Sequence, residues 1–221
     1  MTDEVVFLFD VDNTLFDNDR FQRELREHLE IAYGAHARER YWAHFDALWE
    51  ERGYADYLGA LALYRLEEPH NPALLQLGEW LLDYPFAENL YPGALEAVHH
   101  ASQIGRIVVL SDGDAVFQPR KVMRSGLWRA FAGNVLIYVH KQMELPAIER
   151  AFPAGRYVLV DDKLAILDAV KKIWGDRVAT IFPRQGHYAF DPKILSAHPP
   201  ADLTIGAIAE LTTYDLRALG S

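Results

Sequence analysis

Val5-Val6-Phe7-Leu8-Phe9 runs directly into Asp10-Val11-Asp12-Asn13-Thr14-Leu15-Phe16. Five consecutive apolar residues, β-branched or aromatic for the most part, are too few for a helix and read as a strand buried on both faces. That is the habit of strands in parallel sheets. In such sheets ligands gather just past the carboxyl ends of the strands. Here that position holds two carboxylates, Asp10 and Asp12, and a hydroxyl, Thr14.

Further runs of the same kind follow. They are Ile107-Val108-Val109-Leu110, Val135-Leu136-Ile137-Tyr138-Val139, Tyr157-Val158-Leu159-Val160 and Val178-Ala179-Thr180-Ile181-Phe182, with Leu203-Thr204-Ile205 as a short sixth. Helical periodicity fills the intervals. Leu95 and Val98 lead a helix toward a stop at Gly105; Leu145, Ile148 and Phe152 mark another; Ile166, Ala169, Val170 and Ile173 mark a third that ends at Gly175. Alternating strand and helix predicts an α/β fold: a Rossmann-like parallel sheet core flanked by helices and joined by right-handed crossovers.

Residues 17–89 break the alternation. They contain no strand-like run but repeat apolar residues at helical spacing, first Phe21, Leu25, Leu29 and Tyr33, then Leu74, Leu77, Leu81 and Tyr84. The segment is also rich in aromatics, with Trp42, Trp49, Tyr54, Tyr57 and Tyr64. An all-helical cap inserted after the first strand is therefore expected over 17–89, with the core made of 1–16 and 90–221. The segments 16–19 and 87–92 would be its hinges.

The bulk properties narrow the functions. Half of the 221 residues are hydrophobic, enough for a packed core, and a formal net charge of -10 disfavours a duplex nucleic acid partner. The absence of cysteine excludes disulfides, thiolate metal sites and thiol nucleophiles. The start carries Asp3 and Glu4 where a secretory signal needs basic residues, and no apolar run approaches the roughly 20 residues of a membrane helix. A soluble cytoplasmic protein without a membrane partner is expected. Oligomeric state is not readable.

The other strand ends repeat the pattern of the first. Ser111-Asp112-Gly113 follows the second strand, His140-Lys141 the third, and Asp161-Asp162 the fourth. Asp10, Asp12, Asp161 and Asp162 gathered at one edge would repel one another unless a cation sat among them. Oxygen ligands alone suit magnesium. Lys141 adds a positive charge and Ser111 a directed donor, which together fit a phosphoryl group whose charge spreads over three oxygens. Taken singly these residues are ordinary: Asp10 and Asp12 could cap a helix, Ser111 could belong to a turn, and Lys141 could lie on the surface. Their order along four strand ends is what gives them weight.

In that order, Asp10-x-Asp12-x-Thr14, Ser111, Lys141 and Asp161-Asp162, the chain resembles the haloacid dehalogenase superfamily, over residues 4–16 and 90–210. The resemblance implies Asp10 as covalent nucleophile and Asp12 as general acid and base, with Ser111 and Lys141 completing the catalytic set. Thr14, Ser111, Asp112 and Lys141 would bind phosphate or steady the loop that does. Asp10, Asp161 and Asp162, with the backbone carbonyl of Asp12, would hold Mg2+. The dehalogenases of the superfamily lack an Asp at the position of Asp12, so phosphate chemistry on a small phosphate ester is implied. Departures occur at Asp112, Gln142 and Lys163, where relatives commonly carry Asn, Pro and a small residue.

Other outcomes on the same core are a phosphomutase, another hydrolase, or a non-catalytic phosphate-binding or regulatory protein. A phosphorylated receiver domain places its acidic pair first and has no cap, so the order of motifs disfavours it. Arg184, His187 and Tyr188 could rim the site. Arg20, Arg23, Tyr41, Trp42, Arg52 and Tyr54 are cap candidates for substrate contact, although aromatics at helical spacing more often form core. The histidines show no paired metal-binding spacing, and His99, His100 and His140 read as structural or solvated.

Overall fold

In the computed structural model, which describes residues 5–219, every apolar run becomes a strand. These are β1 (Val5–Phe9), β2 (Arg106–Asp112), β3 (Val135–Tyr138), β4 (Arg156–Val160), β5 (Val178–Pro183) and β6 (Leu203–Ile205). The expected outer ends of the core, residues 1–4 and 220–221, lie outside the described residues. All neighbouring strands pair in parallel, in the order β3-β2-β1-β4-β5-β6. The chain winds outward from β1 in one direction and then returns to add β4 on the other side. This reversal at the β1/β4 junction is where open α/β sheets leave a crevice for ligands.

Alternation of side chains divides the core into two layers. Phe7 and Phe9 of β1 face one cluster with Val109, Val158 and Ile181, while Val6 and Leu8 face the other with Val108, Leu110 and Leu159. The first layer is covered by α4 (Ala94–Ser102), α5 (Phe117–Arg124) and α6 (Leu127–Ala130). The second is covered by α7 (Leu145–Ala151) and α8 (Leu164–Trp174), with α9 (Pro192–Ala197) at its margin. On α8 the buried stripe is Leu164, Leu167, Val170 and Trp174, and Trp174 stacks on Tyr157 with ring centres 4.3 Å apart. Two expected core positions are corrected: Ile173 is 65% exposed and Leu95 is 43% exposed. The inward face of α4 is instead Ala94, Ala97, Val98 and Ala101, small residues that let the helix lie close to the sheet.

Between the loop after β1 and α4 the chain forms helices: α1 (Asn18–Arg52), α2 (Tyr57–Glu67), α3 (Ala73–Asp83) and a short 3-10 turn at Phe86–Asn89. Helix α1 is broken at Gly34, whose φ of 86° is accessible to glycine at little cost. Asp17 caps α1 by accepting from the Arg20 N–H, and Asp56 caps α2 by accepting from the Gly59 N–H. The aromatics of the segment pack on one another, with Phe21 in contact with Tyr57, Trp80 and Tyr84. The two chain crossings into this helical unit run side by side. Asp17 N–H donates to Asn89 O and Tyr91 N–H donates to Leu15 O.

The sheet carries the site, so its packing is testable apart from chemistry. Leu159→Ala, at a fully buried position, is expected to cost ~2–5 kcal/mol. Ile31→Ala, at a position 87% exposed, should stay within about 0.5 kcal/mol. Denaturant unfolding followed by circular dichroism measures both.

Candidate active site

Four strand ends meet at the β1/β4 crevice. Asp10 leaves β1 with its N–H bonded to Val160 O, and Asp161 leaves β4 with its N–H bonded to Ile181 O. Both carboxylates are therefore fixed at backbone level. Lys141 begins two strands away, beyond β3, yet its Nζ lies 2.5 Å from Asp10 Oδ1 and 2.6 Å from Asp161 Oδ2. Adjacent strands are ~4.8 Å apart, so an ammonium that must cross β2 needs a long stem. On the way it donates to Leu110 O at 3.2 Å. Its own N–H donates to Asp112 Oδ1 at 2.7 Å, which pins the start of the side chain as well as its tip.

Asp10, Asp161 and Asp162 each offer a carboxylate oxygen, and these oxygens lie within 4.8 Å of one another, all buried. Both carboxylate oxygens of Asp162 lack a hydrogen-bond partner, and Asp161 Oδ2 meets Lys141 as an ion pair without hydrogen-bond alignment. Buried oxygen atoms left unpaired are costly, and a hard divalent cation is the group that such a donor set accommodates. The residues present fit magnesium.

Electrostatics agrees. Burial pushes Asp10 up to about 6, with Lys141 pulling it down and Asp161 and Asp12 adding to the rise. Burial also raises Asp162 well above the usual carboxylate range, and Asp112 rises for the same reason. Burial works against the Lys141 ammonium, yet Asp10, Asp161 and Asp112 outweigh it and hold the proton on. Lys163 is pushed up to about 12 because Asp162 and Tyr188 outweigh its burial. Its Nζ sits 5.5 Å from the Trp49 ring centre and 5.4 Å from that of Tyr188. The departure at position 163 thus places a cation beside the carboxylates and against Trp49 of α1.

The loop after β1 is held by its own turn and by neighbours. Leu15 and Phe16 donate from their N–H groups to Val11 O, and Asn13 takes a φ of 58°. Thr14 is fully buried and its Oγ1 accepts from the Asp162 N–H. Its hydroxyl oxygen thereby ties the first loop to the fourth strand end. Asp112, likewise expected near phosphate, is engaged at Oδ1 by the Lys141 N–H while still lining the crevice. Ser111 Oγ accepts from Gln118 Nε2 at 2.9 Å. The Asp12 carboxylate stands apart from the three-carboxylate group: Oδ1 lies 2.6 Å from Lys121 Nζ and Oδ2 accepts from Gln118 Nε2 at 3.1 Å.

Above these groups lies a cleft of about 210 Å³ between the helical unit and the core, lined by Asp12, Gln118, Asp162 and Lys163 below and by Gln22, Phe45, Asp46, Trp49 and Tyr54 above. Of the cap candidates only Tyr54 reaches it. Tyr41 and Trp42 are buried in the helical packing, Arg52 pairs with Asp56, Arg20 pairs with Glu24, and Arg23 is exposed. Tyr188 and His187 line the cleft, and His187 is held to Asp19 by two hydrogen bonds. Arg184 points to solvent beside Phe190. Gln118 and Lys121 were not foreseen. The available signal was a lysine on the same helical stripe as Phe117 and Val122.

With the geometry in place, the comparisons are specific. The structure superposes with a TM-score of 0.92 on the crystal structure of a haloacid dehalogenase-like hydrolase from Burkholderia xenovorans LB400, at 56% identity over 96% of this chain and 99% of that one. The chain belongs to the haloacid dehalogenase-like hydrolases. Two more distant members share the fold. An L-2-haloacid dehalogenase from Xanthobacter autotrophicus with chloropropionic acid covalently bound matches at 14% identity and TM-score 0.61, over 96% of this chain and 98% of that one. A HAD-hydrolase from Bacillus subtilis bound to magnesium matches at 16% and 0.59, over 98% of both. No protein-family model matches the chain, nor does any curated protein. No helix among the described residues is long and apolar enough to cross a membrane.

The buried carboxylates link pH, cation and stability. For a carboxylate whose folded pKa lies above its unfolded value, the stabilising contribution is full below the unfolded value and is lost as pH rises through the folded one. For Asp10 that window runs from 3.8 to about 6, and the rise of Asp162 extends the loss upward. A cation binds the ionised forms, so its stabilising effect grows over the same window. The melting-temperature difference between magnesium and chelator should widen from about pH 5 to about pH 7.5. Asp162→Asn should raise the chelated melting temperature by roughly 3 °C and abolish the widening. Differential scanning fluorimetry across the pH series checks both.

Proposed function

We propose that the protein is a magnesium-dependent phosphomonoester hydrolase acting on a small phosphorylated metabolite through an aspartyl-phosphate at Asp10. The observation that carries this reading is the Lys141 ammonium held between Asp10 and Asp161, beside the unpaired carboxylate of Asp162. It is a buried arrangement of cation, nucleophile and cation-ligating oxygens around one point.

In the first step an Asp10 carboxylate oxygen forms a bond to phosphorus, the bond to the ester oxygen breaks, and Asp12 gives that oxygen its proton. In the second, a water oxygen bonds to phosphorus as Asp12 takes a proton from it, and Asp10 leaves as carboxylate with inorganic phosphate as product. Lys141 keeps the Asp10 oxygen oriented and offsets charge on the transferring group. Ser111 Oγ accepts from Gln118 and donates its hydrogen in a long 3.4 Å bond to Asp112 O, a weak contact that a phosphoryl oxygen would replace. Asp10, Asp161, Asp162 and the Asp12 carbonyl would hold magnesium, which when bound supplies positive charge against the phosphoryl oxygens. The cap residues Trp49 and Tyr54 close over the cleft and limit water, with the paired crossings at 16–19 and 87–92 as hinge. A halide departs without a proton, so a carboxylate at position 12 has no task in dehalogenation.

A panel of phosphate monoesters, each assayed with magnesium and with chelator, tests the reading. Phosphate release that requires magnesium and falls ~10⁴-fold or more in Asp10→Asn is expected. Metal-independent release, or an Asp10→Asn variant that retains turnover, would overturn it.

A further inference from the structure

Lys121 is fully buried and lies on α5, outside the four strand-end motifs. Burying an ammonium costs several kcal/mol unless its partners compensate. Its Nζ lies 2.6 Å from Asp12 Oδ1 and donates to Asn18 Oδ1 at 3.3 Å. Around it stand the rings of Phe16, Phe117, Tyr57 and Phe21, with centres 5.1, 5.5, 5.9 and 6.0 Å away. Aromatic faces stabilise a cation but confine it to one spot. A methionine would fill this space without the desolvation penalty, so packing alone does not explain the charge.

The same helix face carries Gln118, one turn earlier. One amide nitrogen serves two neighbours: Gln118 Nε2 donates to Asp12 Oδ2 at 3.1 Å and to Ser111 Oγ at 2.9 Å. Each oxygen of the Asp12 carboxylate therefore has one donor from α5. Two donors on two oxygens fix both the position of the group and the rotation of its plane, and leave further acceptor capacity on a side chain that lines the cleft.

We propose that Lys121, assisted by Gln118, is the positioning residue for Asp12: it holds the carboxylate at the height and angle from which a proton passes to the departing oxygen of the substrate. The inference rests on the phosphomonoesterase reading and adds to it a residue that acts only through Asp12. Through Asn18, which also accepts from the Tyr57 hydroxyl at 3.3 Å, the ammonium is tied to the helical unit as well. The proton-transfer group is thereby registered against the cap as well as the core.

Positioning of a proton donor matters most where the leaving oxygen is a poor one. The test compares kcat/KM, which reports the first phosphoryl transfer, for an alkyl phosphate and for p-nitrophenyl phosphate. Lys121→Met should lower the alkyl-to-nitrophenyl ratio by roughly 10²-fold. Lys121→Arg, which keeps the charge, should recover part of the ratio. In an Asp12→Asn background Lys121→Met should cause no further change. Equal loss on both esters, or a loss that persists in the Asp12→Asn background, would overturn the proposal. A crystal structure of Lys121→Met adds a readout free of turnover. An Asp12 carboxylate that stays in place without the ammonium overturns the positioning role whatever the protein hydrolyses. A displaced Asp12, in a protein whose wild type releases phosphate from no ester, sustains the positioning role and removes the phosphomonoesterase reading instead.

Discussion

A single buried ammonium decides how the carboxyl edge of this sheet can exist. Lys141 crosses β2 to reach Asp10 on β1 and Asp161 on β4. Without it three buried carboxylates would face one another across a few ångström. Even with it the balance is incomplete: among the described residues the four carboxylates of Asp10, Asp112, Asp161 and Asp162 have two ammonium groups beside them, Lys141 and Lys163, which leaves two negative charges. Burial shifts Asp10, Asp112 and Asp162 upward, which widens the pH range over which a proton offsets part of that charge. A divalent cation held by these oxygens would offset the same charge without protons and favour the ionised form of Asp10, which the proposed nucleophile requires. The clustered carboxylates cost stability, and the apolar sheet beneath compensates.

The fold makes this arrangement reachable from residues far apart in sequence. Winding outward from β1 and then back brings the first and fourth strands together, so Asp10 and Asp161 become neighbours by parallel pairing. The Thr14 clamp on the Asp162 N–H then fixes the first loop to the fourth strand end, and Lys141 N–H on Asp112 fixes the second to the third. Each of the four strand ends is bonded to another. The helical unit enters between β1 and β2, immediately after the Asp10–Phe16 loop, and so it overhangs the cleft.

Much of this was legible from residues alone, for a physical reason. Strands buried on both faces must be continuously apolar, and the ligand edge of a parallel sheet must carry its polar groups at strand ends, so Asp10, Ser111, Lys141 and Asp161 announce themselves by position. Helix faces are less explicit. Leu95 and Ile173 fit an apolar spacing yet face solvent, because Ala94 and Ala101 pack closer to the sheet and Trp174 fills the space beside Tyr157. Helix α5 is short and charged, with Pro119 in its first turn, and periodicity does not reveal it. Lys121 was hidden with it, since its partner Asp12 lies 109 positions away. Nothing in either local sequence shows that one of the charges is buried among rings.

The central claim is that Asp10 carries the phosphoryl group, and it can be read chemically. Protein turning over a phosphate monoester with magnesium is quenched and treated with borohydride, which reduces an acyl phosphate to an alcohol and leaves a free carboxylate untouched. Peptide mass spectrometry then locates the reduced residue. Homoserine at position 10, absent when substrate is withheld, is the result this account predicts. A chain unmodified at position 10 during active turnover, or reduced at another carboxylate, would contradict it.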